Sequence, residues 1–303
     1  MLSVQHITTG YGKKQVLTDV SFDVAKGDVV LLTGGNGSGK STVLKTIYGL
    51  LKPWILNRKD FNHKGHEELH KGHKEENSAF CESSAPLAVD EPVGRIFFEG
   101  HDITGLTVSA MIRYGIVYMP QKKNVFDEFT VEENLLTSAS VYSQGDFNHK
   151  GHRGCTRIFT TKDTKNTQGT QRIKNSVLRD AFVSLVVKPF ASLAVKEEVK
   201  ERVQRVYETL PLLATLRKRT PFNMSGGERQ LLAFGNALVH SPKLFLLDEP
   251  FAGVDVSNTE ILQECIADLN KKGVTFIIVE HKRQLIDGVI NKEFGLELGR
   301  IKL

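Results

Sequence analysis

Residues 34–42 read Gly34-Gly35-Asn36-Gly37-Ser38-Gly39-Lys40-Ser41-Thr42, directly after the apolar run Val29-Val30-Leu31-Leu32-Thr33. The spacing is G-x-x-x-x-G-K-[ST] in the context strand, glycine loop, helix, with the helix expected from Ser41 to about Leu50. Glycines let successive backbone N–H groups turn inward and ring a phosphate chain that side chains would obstruct. Lys40 is then placed to reach the β- and γ-phosphates as a point charge, and the Ser41 hydroxyl to ligate Mg²⁺. The helix that follows points its positive end at the same anions. This stretch implies binding of a nucleoside triphosphate.

Two downstream segments narrow the chemistry. Lys243-Leu244-Phe245-Leu246-Leu247-Asp248-Glu249-Pro250 has the pattern of a buried strand ending in two carboxylates. An acid at a strand's C-terminal edge beside a phosphate loop is where Mg²⁺ is held, which selects Asp248. Glu249, one residue on, is placed to take a proton from an attacking water. Such pairs also end ordinary strands, and the phosphate loop in the same chain is what gives this one its catalytic reading. Met224-Ser225-Gly226-Gly227-Glu228-Arg229-Gln230 opens a helical pattern running from Gln230 to Val239. Ser225 is a good N-cap, and the two glycines expose backbone N–H groups at a helix start, a second anion cradle. Two cradles with one nucleotide loop suggest two chains enclosing ATP head to tail.

With these residues in place the chain resembles the ATP-binding cassette (ABC) ATPases, and Ser225, Gly226 and Gly227 match their signature. The resemblance assigns further roles. Tyr11, in Thr9-Gly10-Tyr11-Gly12, matches the aromatic that stacks on adenine. Gln121, in Tyr118-Met119-Pro120-Gln121, matches the glutamine that contacts Mg²⁺ and the water and senses the transport partner. Asp255, in Ala252-Gly253-Val254-Asp255, matches the acid of the loop that crosses the dimer. His281, after the expected strand 274–279, matches the histidine that contacts the γ-phosphate. The resemblance covers residues 1–53, about 93–144 and about 193–303. Within the family, residues 94–104, 115–121 and 129–135 are most similar to branched-chain amino acid importers, whereas residues 248–255 also resemble lipopolysaccharide-export ATPases. The C-terminus departs from both groups, stopping at Leu303 where relatives usually continue, so a C-terminal dimer contact is not carried over from the resemblance.

Composition agrees with a globular chain: 40% hydrophobic and 25% charged residues. No apolar run approaches the ~20 residues needed to cross a bilayer, and residues 1–4 begin no signal peptide. A membrane-spanning partner would therefore be a separate chain. Three cysteines, Cys81, Cys155 and Cys265, form no disulfide framework and suggest reduced thiols. The net charge of +5 comes largely from residues 145–192, which carry +6, against −3 in residues 54–92. The remainder holds +2, and no nucleic-acid partner is expected.

Those two stretches look foreign. Asp60-Phe61-Asn62-His63-Lys64-Gly65-His66 recurs letter for letter at residues 146–152, and Thr161, Thr164, Thr167 and Thr170 recur every third residue. A three-residue period suits neither helix nor strand, and the polar composition cannot repay ordering entropy. We read 54–92 and 145–192 as low-complexity inserts of translated repetitive DNA in surface loops. A metal-binding alternative draws on His63, His66, His70, His73 and Cys81, or His149, His152 and Cys155. Residues 177–192 are denser in Val, Leu and Phe and could form a short helix or strand.

The expected fold is therefore α/β, an ABC-type P-loop ATPase occupying 1–303 as one domain. It would comprise a mostly parallel sheet, an N-terminal antiparallel β subdomain and a helical subdomain around 122–236. The resemblance implies ATP and Mg²⁺ as cofactors, a homodimer or heterodimer with a related ATPase, and integral membrane permease subunits. It would lie in the cytoplasm on the inner face of the membrane. A non-transport cytosolic ABC ATPase usually needs tandem cassettes or a long coiled coil, neither present here. A signalling GTPase or kinase on a similar loop is disfavoured by Ser225-Gly226-Gly227-Glu228 and by the missing guanine-specifying Asn-Lys-x-Asp.

Overall fold

The structure, a computed structural model, describes residues 1–54, 94–122, 125–140 and 193–302. The repeats, their histidine–cysteine alternatives and residues 177–192 lie outside the described residues. In chain order the elements begin with β1 (Leu2–Tyr11), β2 (Lys14–Val24), β3 (Val29–Thr33) and α1 (Lys40–Ile47). Next come β4 (Arg95–Phe98), β5 (His101–Asp102), α2 (Val108–Arg113), β6 (Ile116–Met119) and α3 (Val131–Ser140). Then follow α4 (Leu193–Thr209), α5 (Pro211–Thr215), α6 (Gly226–Leu238), β7 (Leu244–Asp248) and α7 (Val256–Lys271). The last are β8 (Thr275–Val279), β9 (Lys292–Glu297) and β10 (Arg300–Lys302).

The strands make two sheets, a four-stranded antiparallel one ordered β2-β1-β4-β5 and a six-stranded one ordered β10-β9-β3-β8-β7-β6. In the larger sheet β9, β3, β8, β7 and β6 run parallel, and only the β9–β10 hairpin is antiparallel. Strands β6, β7 and β8 are buried along their whole length, and β3 in all but Thr33. That explains their continuous apolar runs: a parallel sheet covered on both faces has no polar side to show.

Because successive side chains of a strand point to opposite faces, each strand feeds two cores. Val29, Leu31, Val117, Met119, Phe245, Leu247, Phe276 and Ile278 pack against α3 to α7. Phe234 of α6 stacks on Phe245 with ring centroids 4.8 Å apart, and Phe245 on Phe276 at 5.8 Å. Val30, Leu32, Ile116, Tyr118, Leu244, Leu246, Ile277 and Val279 face the other way, onto α1, α2 and the antiparallel sheet. A layer of helices α3 to α7 on one face, and a layer of α1, α2 and the antiparallel sheet on the other, thus clamp the same sheet.

Two boundaries differ from expectation. Helix α1 ends at Ile47 rather than near Leu50, because Gly49 takes φ +77°. The backbone N–H groups of Gly49 and Leu50 fold back onto the carbonyls of Thr46 and Lys45 and close the helix there. Helix α6 starts four residues ahead of the apolar pattern, at Gly226, because the capping box of Ser225 and Glu228 nucleates it early.

Candidate active site

Ligands of open α/β sheets bind beyond the carboxyl ends of the parallel strands. Four adjacent strands, β3, β8, β7 and β6, end at that edge here, and each is followed by a residue singled out above. Strand β3 runs into the glycine loop, β6 leads to Gln121, β7 ends in Asp248 and Glu249, and β8 leads to His281.

Within the loop, a Cβ at Gly35 or Gly37 would meet nothing within 4 Å, so this backbone faces open space. Ser38 Oγ is buried and has no hydrogen-bond partner among the described residues, an orphaned polar atom in a loop of the right shape for phosphate. Lys40 is 6% exposed and its Nζ donates to the carbonyls of Gly34 at 2.8 Å and Gly35 at 3.0 Å. Burial lowers the pKa of its ammonium, while the carboxylates of Glu249 and Asp248 oppose that shift. A lysine folded onto its own loop is a cation waiting for a better anion. Asn36 is exposed at the loop tip, and Thr42 is buried on α1.

The Ser41 hydroxyl donates to Asp248 Oδ1 at 2.8 Å, and the Tyr118 hydroxyl donates to Asp248 Oδ2 at 3.0 Å. Glu249 sits beside them with φ +51° and its backbone N–H donating to the Val279 carbonyl at 2.9 Å. Gln121 Nε2 donates to Glu249 Oε2, and His281 Nε2 lies 3.2 Å from Glu249 Oε1. Lys40, Ser41, Gln121, Asp248, Glu249 and His281 therefore form one cluster drawn from four strand ends. Ser41 and Asp248 supply two hard oxygens next to the phosphate loop, a donor set that suits Mg²⁺ sharing its shell with substrate phosphates.

Ser225, Gly226, Gly227 and Asp255 form a second cluster. Ser225 Oγ accepts from the Glu228 N–H at 3.1 Å, while the Glu228 carboxylate accepts from the Ser225 N–H at 2.7 Å. A Cβ on Gly227 would come within 2.6 Å of Asp255 Oδ2 and Asn258 Nδ2, so only glycine lets α6 approach α7 so closely. Asp255 caps α7, accepting from the Asn258 N–H at 3.0 Å and the Asn258 amide at 2.7 Å. Those hydrogen bonds, the side-chain one foremost, hold its carboxyl below the usual range. Ser225 and Gly226 are exposed. The two clusters meet where Gln230 of α6 donates to the Glu249 carbonyl at 3.5 Å. Tyr11 stands 47% exposed at the end of β1.

Three contributors were not singled out from sequence. Tyr118 lies within a quoted motif, but only the pairing of β6 with β7 brings it to Asp248. Gln230 is read as ordinary helix. Glu280 is buried beside His281, and its Oε1 accepts from the N–H groups of His281 at 2.9 Å and Lys282 at 3.3 Å. Among the described residues no helix is long and apolar enough to cross a membrane.

Comparison with known proteins agrees with this geometry. The model of the ABC transporter family matches residues 17–85 and 87–252. The high-affinity branched-chain amino acid transport ATP-binding protein BraG of Pseudomonas aeruginosa is 30% identical, covering 99% of this chain and 91% of that protein. The lipopolysaccharide export system ATP-binding protein LptB of Acidithiobacillus ferridurans is 26% identical over 99% of this chain and 88% of its own length. A nucleotide-free ATP-binding cassette from an ABC transporter superposes with a TM-score of 0.65 at 26% identity, covering 100% of this chain and 90% of that one. The ADP conformation of another such cassette gives 0.64 at 27% identity, covering 100% and 89%. Family match, sequence identity and shared fold agree, and this chain belongs to the ABC transporter family as one of its ATP-hydrolysing cassettes.

Proposed function

We propose that the chain hydrolyses Mg-ATP as half of a two-fold pair, a homodimer or a heterodimer with a related ATPase. In this reading it drives transport of the branched-chain amino acid type through separate permease subunits, from the cytoplasmic face of the membrane. The observation that carries the chemistry is Glu249, whose two carboxylate oxygens are gripped by Gln121 and His281 beside the Ser41–Asp248 pair. The similarity to BraG supports the substrate class.

In this reading the loop residues 34–42 cradle the phosphates, and Lys40 leaves the Gly34 and Gly35 carbonyls to meet the β- and γ-phosphates. Tyr11 stacks on adenine. Ser41, Asp248 and Gln121 hold magnesium, which when bound neutralises charge developing on the transferred phosphoryl group. Glu249 accepts a proton from the water that attacks the γ-phosphorus, and His281 donates to the γ-phosphate. Gln121 and His281 each engage one Glu249 oxygen, and each oxygen keeps a second lone pair that can accept from the attacking water. The hydrogen bond to Glu249 sets Gln121, the residue assigned to sensing the permease, directly against the proposed base. Ser225, Gly226 and Gly227, exposed or at a helix start, serve the partner's ATP, and Asp255 lies on the loop between the two copies. Two-fold symmetry then gives two equivalent sites. Residues 54–92 and 145–192 are inserts that take no part, and residues about 122–236 form the helical subdomain that meets the permease.

The lipopolysaccharide-export type is a second reading, supported by the similarity to LptB. The test is reconstitution in proteoliposomes with the membrane subunits that co-purify with the chain. ATP turnover rising with leucine, isoleucine or valine and the matching solute-binding protein is the expected result. Turnover responding to lipopolysaccharide and not to those amino acids would replace the importer reading with the exporter one.

A further inference from the structure

We infer that the Tyr118 hydroxyl is a positioning group for the metal-binding acid, holding Asp248 Oδ2 so that Oδ1 stays turned to Ser41. The inference rests on the assignment of Asp248 and Ser41 to magnesium proposed above. Strands β6 and β7 are parallel with Tyr118 opposite Leu246, so Asp248 lies two residues further along on the same face of the sheet. A side chain at 118 must therefore be long to reach it. The phenol is, and its hydroxyl arrives at 3.0 Å.

Asp248 is 3% exposed, and its two oxygens have different donors. Oδ1 is shared with the serine of the phosphate loop at 2.8 Å, while Oδ2 is taken by the phenol. A buried carboxylate with one oxygen anchored cannot rotate freely, so the other keeps its direction when a cation arrives. The anchor is itself fixed. Tyr118 is 9% exposed and its ring packs on Tyr48, just past α1, with centroids 5.5 Å apart. Loop helix, metal acid and the strand leading to Gln121 are thus joined through one hydroxyl. Groups that orient metal ligands from behind act on affinity without touching the ion.

The experiment uses the full chain and a fluorescent ATP analogue, titrated first in EDTA and then with rising Mg²⁺ or Mn²⁺. Tyr118→Phe keeps the ring on Tyr48 and loses only the hydroxyl. It should leave binding in EDTA unchanged and raise the half-saturating metal concentration by about 10- to 100-fold, the usual effect of losing such a support. An unchanged metal dependence in a folded Tyr118→Phe protein would overturn the inference. Asp248→Asn separates the two levels of the argument. If it leaves metal dependence untouched, the magnesium assignment fails and this inference with it. If it shifts metal dependence while Tyr118→Phe does not, only the role of Tyr118 fails. Should Tyr118→Phe misfold, the double variant carries the test, because Asp248→Asn removes the buried charge that would be left unpaired. Adding Tyr118→Phe there should change metal dependence no further, and a further shift would show that the hydroxyl acts elsewhere.

Discussion

His281 Nε2 lies 3.2 Å from Glu249 Oε1, joining the ends of two neighbouring strands. The register makes this contact: Asp248 of β7 stands opposite Val279 of β8, so the residues just beyond each strand emerge side by side. Glu249 reaches it from a left-handed backbone at φ +51°, a region that costs a non-glycine residue roughly 1–2 kcal/mol. Its N–H bond to the Val279 carbonyl and the side-chain contacts with Gln121 and His281 hold it there.

Glu249→Gln should keep ATP binding and lose hydrolysis, because the amide preserves shape but cannot take the proton. Removing a positioned base typically costs ~10²–10⁴ in rate. The check is single-turnover hydrolysis beside size-exclusion chromatography with ATP, where the variant should run as a trapped dimer. Unchanged turnover would remove Glu249 from the role.

Ser225→Arg should abolish hydrolysis while leaving one chain's own nucleotide affinity nearly unchanged. Ser225 is exposed, and its capping bonds to Glu228 belong to α6 rather than to the phosphate loop. A bulky cation at that helix start blocks closure of the pair without touching Lys40. Loss of nucleotide binding by the isolated monomer in a direct titration would contradict a site shared between chains.

Deleting residues 54–92 and 145–192 should leave a chain that folds and hydrolyses ATP at least as well as the parent. No residue assigned to nucleotide chemistry lies in either stretch, and loop length costs only about 0.6 kcal/mol per doubling. Thermal unfolding and ATP turnover of the deletion variant are the measurements. An unfolded product would show that the inserts are integral to the fold.

Acid should destabilise the protein through His240. Burial, and secondarily the Arg202 charge, depress its pKa from 6.5 to about 4. The unfolded chain therefore binds a proton that the folded one refuses, so stability contributed above pH 6.5 is lost as pH falls toward 4. The loss is at most on the order of 3 kcal/mol. Urea unfolding of wild type and His240→Leu between pH 7 and pH 4 tests this. The leucine variant should lose less stability across that window, and parallel pH profiles would refute it.

The sequence by itself determined the class of the protein, because its most telling features are local. A glycine loop between an apolar strand and a helix makes a phosphate cradle from its own backbone, and a Ser-Gly-Gly-Glu helix start carries its own cap. Buried parallel strands announce themselves as unbroken apolar runs, since neither face meets water. What only the tertiary structure decided is which of these residues touch. Ser41 and Asp248 are separated by 207 positions, yet one hydrogen bond joins them, and Gln121 and His281 share one carboxylate across three strand ends. Tyr118, Gln230 and Glu280 look like plain strand and helix residues until β6, α6 and β8 are set against β7. Strand register, fixed by two cores packed on opposite faces of one sheet, sets those neighbours, and register is a property of the assembled sheet rather than of any single segment.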